Sequence, residues 1–525
     1  MASESISKDS EKDIKKVAKG AGITLVGSII GRLFLLVSQV IIARFFDKEV
    51  FGLYILGFTV LRLTELIARL GLSNGAMRFI SMYRKEDRGR VKGILITAPL
   101  ISFLNGILIG CPIYLFAGFI ATTFFRNPAV TGSIKMFSLC TPFMAAMGVV
   151  AMSSRGFHTT KYSVYIKDII QPGVNIACVM IFIWLGFGIY WVINAFVISH
   201  VVALAAGIFF LSRQFSAIKE RAVKPVYEIK KLIHYSAPLL FTGFISFLIQ
   251  WTAVIMLGFM NTPAEVAIYR AASQIPVFLV LILSASGAIY APAVAELHYL
   301  GQRERMERIF KTTTRWVFVL TLPISLILVF SSREVMALFG SGYIEDGASV
   351  LIILAIAQFI NCVTGGVAFT LSMTGKQHLE MINTFATLFL SIVLNYLLIP
   401  KYGSFGAAVA TGVSLSVMNL IRLLEVYLIY KMHPYNRNYI QGMVSGTVAV
   451  VVLYLMDAYF LIDEYLLINN FLLNHALLVK LVANILIVLV IFAVGFVLKG
   501  ISDEDRFIFH AITKKVGLTK RASHV

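Results

Sequence analysis

Long apolar stretches separated by short polar segments run through almost the whole chain. A transmembrane helix needs about 20 consecutive apolar residues, and windows of that size identify fourteen candidate spans. The polar segments between them are too short for a soluble domain. The pattern therefore predicts an all-α polytopic membrane protein. The fourteen spans are 23–46, 51–72, 93–121, 130–153, 163–186, 190–211, 234–260, 265–292, 312–332, 349–373, 378–399, 404–430, 439–461 and 475–498.

Composition supports this prediction. Hydrophobic residues make up 58% of the 525 residues and charged residues only 14%, whereas a soluble domain is about half apolar and about a quarter charged. Lipid is the solvent that accommodates such an apolar surface. Because the cysteines lie in apolar stretches without a C-x-x-C pair, we expect no metal or disulfide role for them. These cysteines are Cys111, Cys140, Cys178 and Cys362.

Basic residues in the polar segments predict the orientation in the membrane. The formal net charge of +19 would suggest a nucleic-acid partner in a soluble protein. Here the Lys and Arg residues concentrate in alternate loops, as the positive-inside rule expects of cytoplasmic loops. The richest are 73–92, 154–162, 212–233 and 293–311. We therefore expect a multi-pass protein of the plasma (inner) membrane, with both termini cytoplasmic and no nucleic-acid partner.

The two ends of the chain are polar. Residues 1–22 are predicted to be a cytoplasmic segment and not a cleavable signal peptide, because the apolar stretch that follows is long and contains Arg32. In the cytoplasmic tail, 499–525, Ser502 and the apolar residues after it predict an amphipathic helix on the inner leaflet. The D-x-D match at Asp503-Glu504-Asp505, a glycosyltransferase metal motif, has no nucleotide-binding domain around it.

A hairpin signal near residue 400 reveals an internal repeat. In LNYLLIPKYGSFGAAVATG, Pro400 ends a helix, Gly403 permits a tight turn, and the small residues after it allow close helix packing. A similar hairpin occurs 215 residues earlier, where Gly188 corresponds to Gly403. The same offset pairs Tyr54 with Tyr269.

The repeat predicts the domain organisation. Spans 1–6 form an N-lobe (23–211), a cytoplasmic linker follows (212–233), spans 7–12 form a C-lobe (234–430), and spans 13 and 14 are an appendix (439–498). Six is an even number of crossings, so the lobes should be related by a pseudo-two-fold axis along the membrane normal. Two such lobes enclose a central cleft, which is the architecture of an alternating-access transporter.

The hairpin segment resembles the signature of polysaccharide and oligosaccharide flippases, including O-antigen flippases, of the MOP (MATE-like) exporter superfamily. The resemblance covers roughly residues 15–500. It implies a MATE-like fold and movement of an isoprenoid-linked sugar across the membrane. The matching positions are Gly375, Lys376, Asn395, Leu398, Ile399, Pro400, Tyr402, Gly403, Gly406, Ala407 and Ala408, with Phe51, Gly52, Leu53, Tyr54, Gly71, Leu72 and Arg78 in the second helix and its loop.

Charged residues at bilayer depth are the first candidates for a substrate site, because burying each one costs about 2.5–3.5 kcal/mol. Arg32, Arg62 and Arg270 would bind the (pyro)phosphate head, since arginine matches phosphate oxygens with a bidentate fork. Glu65 follows Arg62 on the same helix face. It is a cleft candidate, with a structural Arg62–Glu65 ion pair as the alternative. For Arg69, a topological or lipid-contacting role is favoured.

Further candidates are polar or aromatic. Gln250 and Trp251 would contact sugar, although Trp251 is equally explained as a packing residue. Asp168, next to Lys167, is a candidate for carrying a coupling proton, with a local ion pair at the interface as the plainer alternative. The sequence predicts no catalytic residue, no metal site and no cofactor, and it lacks the phosphate-binding loop of ATPases.

These observations predict a monomeric, non-enzymatic flippase for a lipid-linked oligosaccharide or polysaccharide repeat unit. Its partners would be the isoprenoid-linked sugar, membrane lipids and, as candidates, polysaccharide polymerase or assembly proteins. A MATE-type cation or drug antiporter is one alternative, but a cation site should favour buried carboxylates. A peptidoglycan-precursor flippase is a closer one. A sugar polymerase or glycosyltransferase would usually need a larger outer loop or a nucleotide-sugar domain.

Overall fold

The computed structural model describes residues 2–218, 220, 222–464 and 470–499, and all regular secondary structure in this part of the chain is helical. Among these residues, eleven helices are long and apolar enough to cross a membrane, and one bent pair of shorter helices would make a twelfth. The prediction of an all-helical, multi-pass membrane protein is therefore confirmed. The predicted amphipathic helix that starts at Ser502 lies outside the described residues.

The helices follow one another with short connections. Those of the first half are α1 Ala2–Phe45, α2 Lys48–Arg69, α3 Leu72–Tyr83, α4 Arg88–Leu115, α5 Ala117–Thr123, α6 Val130–Ser138, α7 Thr141–Arg155, α8 Lys161–Val164, a π-helical turn Tyr165–Ile170, α9 Gln171–Trp184 and α10 Ile189–Gln214. Those after it are α11 Ile229–Met260, α12 Pro263–Ser273, α13 Val277–Tyr299, α14 Arg303–Phe330, α15 Ser332–Ala337, α16 Ile344–Val363, α17 Val367–Met373, α18 Gln377–Tyr430, α19 Tyr439–Glu464 and α20 Asn470–Lys499.

The segment 73–92, predicted as a loop, contains the helix α3. Its apolar residues Leu72, Ala76, Phe79, Ile80 and Tyr83 recur at helical spacing and are all buried. Gly71, with φ of +69°, lets the chain turn between α2 and α3. The window method missed α3 because it scores average hydropathy and not the arrangement of apolar residues on one face.

The predicted span 265–292 is not continuous. α12 ends at Ser273 and α13 begins at Val277, with Pro276 directly before the second helix. Proline has no backbone N–H to donate and disfavours helical geometry at the preceding residue, so the chain breaks there. The predicted span 130–153 is likewise divided into α6 and α7, which meet at 46°.

The hairpin predicted at Pro400–Gly403 is present. α18 contains a non-helical backbone at Gly403, with φ of 53° and ψ of −130°. Its two arms lie side by side, because the Arg422 Nε donates to the Glu380 Oε2 at 2.9 Å across 42 residues of sequence. The Glu265 carboxylate accepts the backbone N–H of Ser404 at 2.5 Å, which fixes the turn against α12.

The two halves of the chain are in contact at both ends of the helical bundle. At one end, named the hairpin end because it includes Gly403, a Cβ on Gly52 would collide with the Pro263 carbonyl. At the opposite end, named the basic end for the loops 73–92 and 212–233, a Cβ on Gly71 would collide with the Ser236 carbonyl. Small residues at these points let the backbones approach closely.

Candidate functional site

Three charged residues lie along one face of α2. The buried Glu65 carboxylate is 3.8 Å from an Arg62 guanidinium nitrogen and also forms an ion pair with Arg69. Arg62 and Arg69 are only half-buried. The predicted Arg62–Glu65 pair is therefore present, and it leaves two guanidinium groups sharing one carboxylate. Arg69, favoured as a topological residue, instead contacts Glu65.

The π-helical turn Tyr165–Ile170 packs against α1 and adds two charges to the site. Lys167 lies within electrostatic range of Arg62, Glu65 and Arg69. Asp168 lies within range of Lys167, Arg155 and Arg32. A Cβ on Gly31 would collide with the Asp168 backbone, so α1 packs directly against this turn. Sequence reasoning placed Lys167 and Asp168 at the membrane interface and did not connect them with Arg62. A helical projection of the span would not have revealed a π turn.

Arg32 is exposed on α1, one residue after Gly31. Its guanidinium is within electrostatic range of Asp168. The sequence predicted it as a charge buried in the cleft. The structure gives it an exposed position beside a partly buried carboxylate.

Arg270 contributes a cation from the second half of the chain. Its guanidinium carbon is 4.7 Å from the ring centroid of Trp251, a cation–π geometry. Among the described residues its buried Nε has no hydrogen-bond partner. Arg62 is within electrostatic range of Arg270, so cations from both halves face one another.

The two residues predicted to contact sugar, Gln250 and Trp251, differ in their exposure. Trp251 is 3% exposed, and its ring also packs against Phe58 and Phe247. In this conformation no face of the indole is open to stack on a pyranose, so its observed role is to support Arg270. Gln250, the preceding residue, is exposed.

Together these side chains form a central cation cluster, with a formal net charge of +3 from five cations and two carboxylates. Such a surplus within an apolar bundle suits an anionic ligand. In the described part of the chain, no group of three or more His, Cys, Asp or Glu residues could hold a metal ion. The members of the cluster are Arg32, Arg62, Glu65, Arg69, Lys167, Asp168 and Arg270.

Comparison with known proteins identifies the family. The family model described as "Polysaccharide biosynthesis protein" matches residues 17–298, more than half of the chain. The chain belongs to this polysaccharide biosynthesis protein family. A second model, MatE, matches residues 238–397. The resemblance stated for the hairpin motif is thereby confirmed.

Individual relatives cover the chain to different extents. The "Probable low-salt glycan biosynthesis flippase Agl15" of Haloferax volcanii is 26% identical over 222 residues, which cover 42% of this chain and 46% of that protein. The chain spans less than half the length of the first two relatives that it matches. The "Putative O-antigen transporter" of Shigella flexneri is 21% identical over 416 residues, 76% of this chain and 94% of that protein.

Among solved structures, lipid II flippase MurJ in an inward closed conformation superposes with a TM-score of 0.66. The alignment has 15% sequence identity and covers 89% of this chain and 97% of MurJ. At that identity the similarity shows the fold alone.

Proposed function

We propose that the protein is a flippase that moves an isoprenoid (pyro)phosphate-linked oligosaccharide or polysaccharide repeat unit across the cytoplasmic membrane by alternating access. The observation that carries this proposal is the central cation cluster, whose surplus positive charge lies between helices of both halves. Membership of the polysaccharide biosynthesis protein family supports it, as do relatives named as a glycan biosynthesis flippase and an O-antigen transporter.

In the proposed mechanism the cluster binds the phosphate oxygens while the isoprenoid chain stays in lipid. Arg62 and Arg69 are held by Glu65, and Arg270 is held against Trp251, so their guanidinium groups are pre-oriented before the head group arrives. Arg32 would act as an exposed first contact. The sugar would occupy the more exposed space beside Gln250.

Alternating access would come from rocking of an N-lobe (23–211) against a C-lobe (234–430). The close contacts of Gly52 with Pro263 and of Gly71 with Ser236 would separate in turn, exposing the cluster first to one side and then to the other. A membrane potential that is negative inside favours outward movement of an anion by about 2.3 kcal/mol per charge per 100 mV. Asp168 remains the candidate for proton coupling.

We further propose fourteen spans, cytoplasmic termini and a monomer in the inner membrane. The count is supported by eleven helices of spanning length, the bent pair α6 and α7, the two arms of α18 and a shorter apolar helix, Gly442–Asp457. Lys480 of α20 contacts Glu334 at 2.8 Å and Asp457 at 2.5 Å, which ties the last two helices to α15.

Two related functions compete with this proposal. The MatE match favours a MATE-type cation antiporter, but the surplus of cations in the cluster disfavours a cationic substrate. A peptidoglycan-precursor flippase would use the same phosphate chemistry, and only the glycan separates it from the proposed function.

The test uses proteoliposomes that contain a fluorescent isoprenoid-pyrophosphate-linked oligosaccharide. Transfer is followed as protection of the head group from an external glycosidase, for the wild type, Arg32→Ala and the control Arg213→Ala. Arg213 is an exposed arginine in the last turn of α10, outside the cluster.

We expect transfer by the wild type and the control and slower transfer by Arg32→Ala. Export of a cationic dye without transfer of any lipid-linked sugar would contradict the proposal, and faster transfer of a lipid II analogue would favour the peptidoglycan alternative.

A further inference from the structure

The π-helical turn Tyr165–Ile170 interrupts the predicted fifth span between α8 and α9. π-helical geometry is rare, occurs mostly as single turns within α-helices, and is frequent at functional sites. The turn adds a residue to the helical repeat, which changes the directions of the side chains that it carries. Both of its charged residues, Lys167 and Asp168, lie beside the central cation cluster.

Lys167 has an unusual environment for a lysine in an apolar helix. It is half-buried, and no hydrogen bond or salt bridge joins it to another described residue. It lies six residues after Lys161, about 9 Å along the helix at 1.5 Å per residue. Its nearest electrostatic partners include two cations, Arg62 and Arg69, which repel it.

The two carboxylates near Lys167 are shared among several cations. Glu65 pairs with both Arg62 and Arg69. Asp168 has Lys167, Arg155 and Arg32 within electrostatic range, and its backbone packs against Gly31 of α1. A charge at bilayer depth without a partner is costly, so such residues commonly mark substrate or ion pathways. The cluster as a whole has two carboxylates for five cations, and binding of an anion from outside the chain would supply the counter-charge that remains.

We propose that Lys167 is a further binding residue for the phosphate of the lipid-linked head group, and that the π-helical turn presents it to the cluster. This inference rests on the proposed function. An ammonium group is a compact point charge with three donors, so it can contact a phosphate oxygen that the planar arginine forks leave free. Asp168, on the same turn, faces α1 and holds that helix beside the site.

A structural lysine and a binding lysine predict opposite effects on the free protein. If Lys167 stabilised the fold, its removal would lower the melting temperature of the unliganded protein. If Lys167 instead binds an anion, replacing it in the unliganded protein removes its repulsion with Arg62 and Arg69. The replacement also removes a desolvated charge. The unliganded protein should then be equally or more stable, while it binds phosphate more weakly.

The experiment compares Lys167→Met, Lys167→Gln and Lys167→Arg with the control Lys161→Met, all purified in detergent. Lys161 is an exposed lysine at the start of α8, with its Nζ 5.4 Å from the Tyr165 ring centroid. The probes are farnesyl pyrophosphate and a fluorescent isoprenoid-pyrophosphate-linked sugar. Dissociation constants and melting temperatures without ligand are measured for every variant.

We expect Lys167→Met and Lys167→Gln to weaken binding of both probes roughly 10- to 100-fold, the size of one charged contact. Their melting temperatures without ligand should be unchanged or higher, Lys167→Arg should recover most of the affinity, and Lys161→Met should match the wild type. Unchanged affinity in Lys167→Met, or loss of folding in both neutral variants, would overturn the proposal. If the wild type binds farnesyl pyrophosphate but transfers no lipid-linked sugar, the flippase proposal is wrong and the Lys167 site is retained. If the wild type binds neither probe, both proposals are wrong.

Discussion

The first half of the chain, 23–211, and the second half, 234–430, repeat the same hairpins but not the same charges. For every charged residue that the first half contributes to the cluster, the residue 215 positions later is uncharged. The counterparts of Arg32, Arg62, Glu65, Arg69, Lys167 and Asp168 are Phe247, Val277, Val280, Ser284, Ile382 and Asn383.

The second half has charges of its own, and it uses them differently. Arg422 forms a bidentate pair with Glu380, with both distances 2.9 Å, between the two arms of α18. At the same offset the first half has Gly207 and Tyr165. Arg270 is the one cation that the second half adds to the cluster, and its counterpart at the 215-residue offset is Ile55. Glycine and small residues at the hairpins thus repeat, as Gly188 and Gly403 do, whereas the charges proposed to bind the ligand lie mainly in the first half.

Breaking the α18 ion pair should have the largest effect, and it should act on stability. Arg422→Leu leaves Glu380 without its bidentate partner between two packed helices. Because an unpaired buried charge is costly, we expect the free energy of unfolding to fall by about 3–5 kcal/mol. The double variant Arg422→Leu with Glu380→Leu should recover most of it. Thermal unfolding in detergent measures the loss, and transfer per folded molecule should stay within about twofold of wild type.

Well-folded Arg422→Leu protein with abolished transfer would contradict the structural role of Arg422, because it would place this arginine in the proposed ligand-binding site.

Replacing Arg62 with the residue found at its repeat position should damage transfer instead. Arg62→Val removes a charged contact worth about 1.5–3 kcal/mol, which corresponds to roughly a 10- to 100-fold slower transfer. The fold should persist because Glu65 keeps Arg69 as its partner. Glycosidase protection in proteoliposomes measures the rate. Arg213→Val, which changes an exposed arginine at the end of α10, is the matched control and should transfer normally.

The repeat also indicates how far sequence alone could predict this molecule. The Pro400–Gly403 hairpin and the apolar spans were predictable, because proline chemistry, glycine φ angles and hydropathy act locally. The break at Gln274–Pro276 has the same local origin at Pro276, but the surrounding hydropathy concealed it.

The site was harder to predict. Arg62, Glu65 and Arg270 were recognisable as charges in apolar helices. The contact of Arg270 with Trp251 depends on how α11 and α12 pack, and the position of Lys167 depends on a π-helical turn. Both arise from tertiary packing, which one sequence does not specify.

A smaller effect is expected at Trp251, whose repeat counterpart is Leu36. Trp251→Leu removes the ring under Arg270, and cation–π contacts contribute about 0.5–2 kcal/mol, so transfer should slow roughly two- to thirtyfold. Phe247→Leu serves as the control for lost packing, since Phe247 stacks on Trp251, with ring centroids 6.1 Å apart. If both variants transfer equally well, the ring does not orient Arg270.

The smallest effect should come from a contact that joins the two halves at the hairpin end. The Arg44 guanidinium donates to the Leu338 carbonyl at 2.8 Å and to the Ala337 carbonyl at 3.0 Å. Arg44→Gln should shift the equilibrium toward opening at this end by about 1 kcal/mol, or roughly fivefold. Thiol labelling of Tyr54→Cys, in a background without native cysteines, should then be faster from the hairpin side. Unchanged labelling would show that Arg44 does not hold this end closed.

The central claim is that the cation cluster selects an anionic head group. The most direct measurement compares transfer of two substrates in the same wild-type proteoliposomes: an isoprenoid-pyrophosphate-linked sugar, and the same sugar joined to the same isoprenoid without phosphate. We expect saturable transfer of the pyrophosphate-linked sugar and no transfer of the neutral one above that of protein-free vesicles. Equal transfer of both would contradict it, because the cluster would then have no part in recognising the substrate.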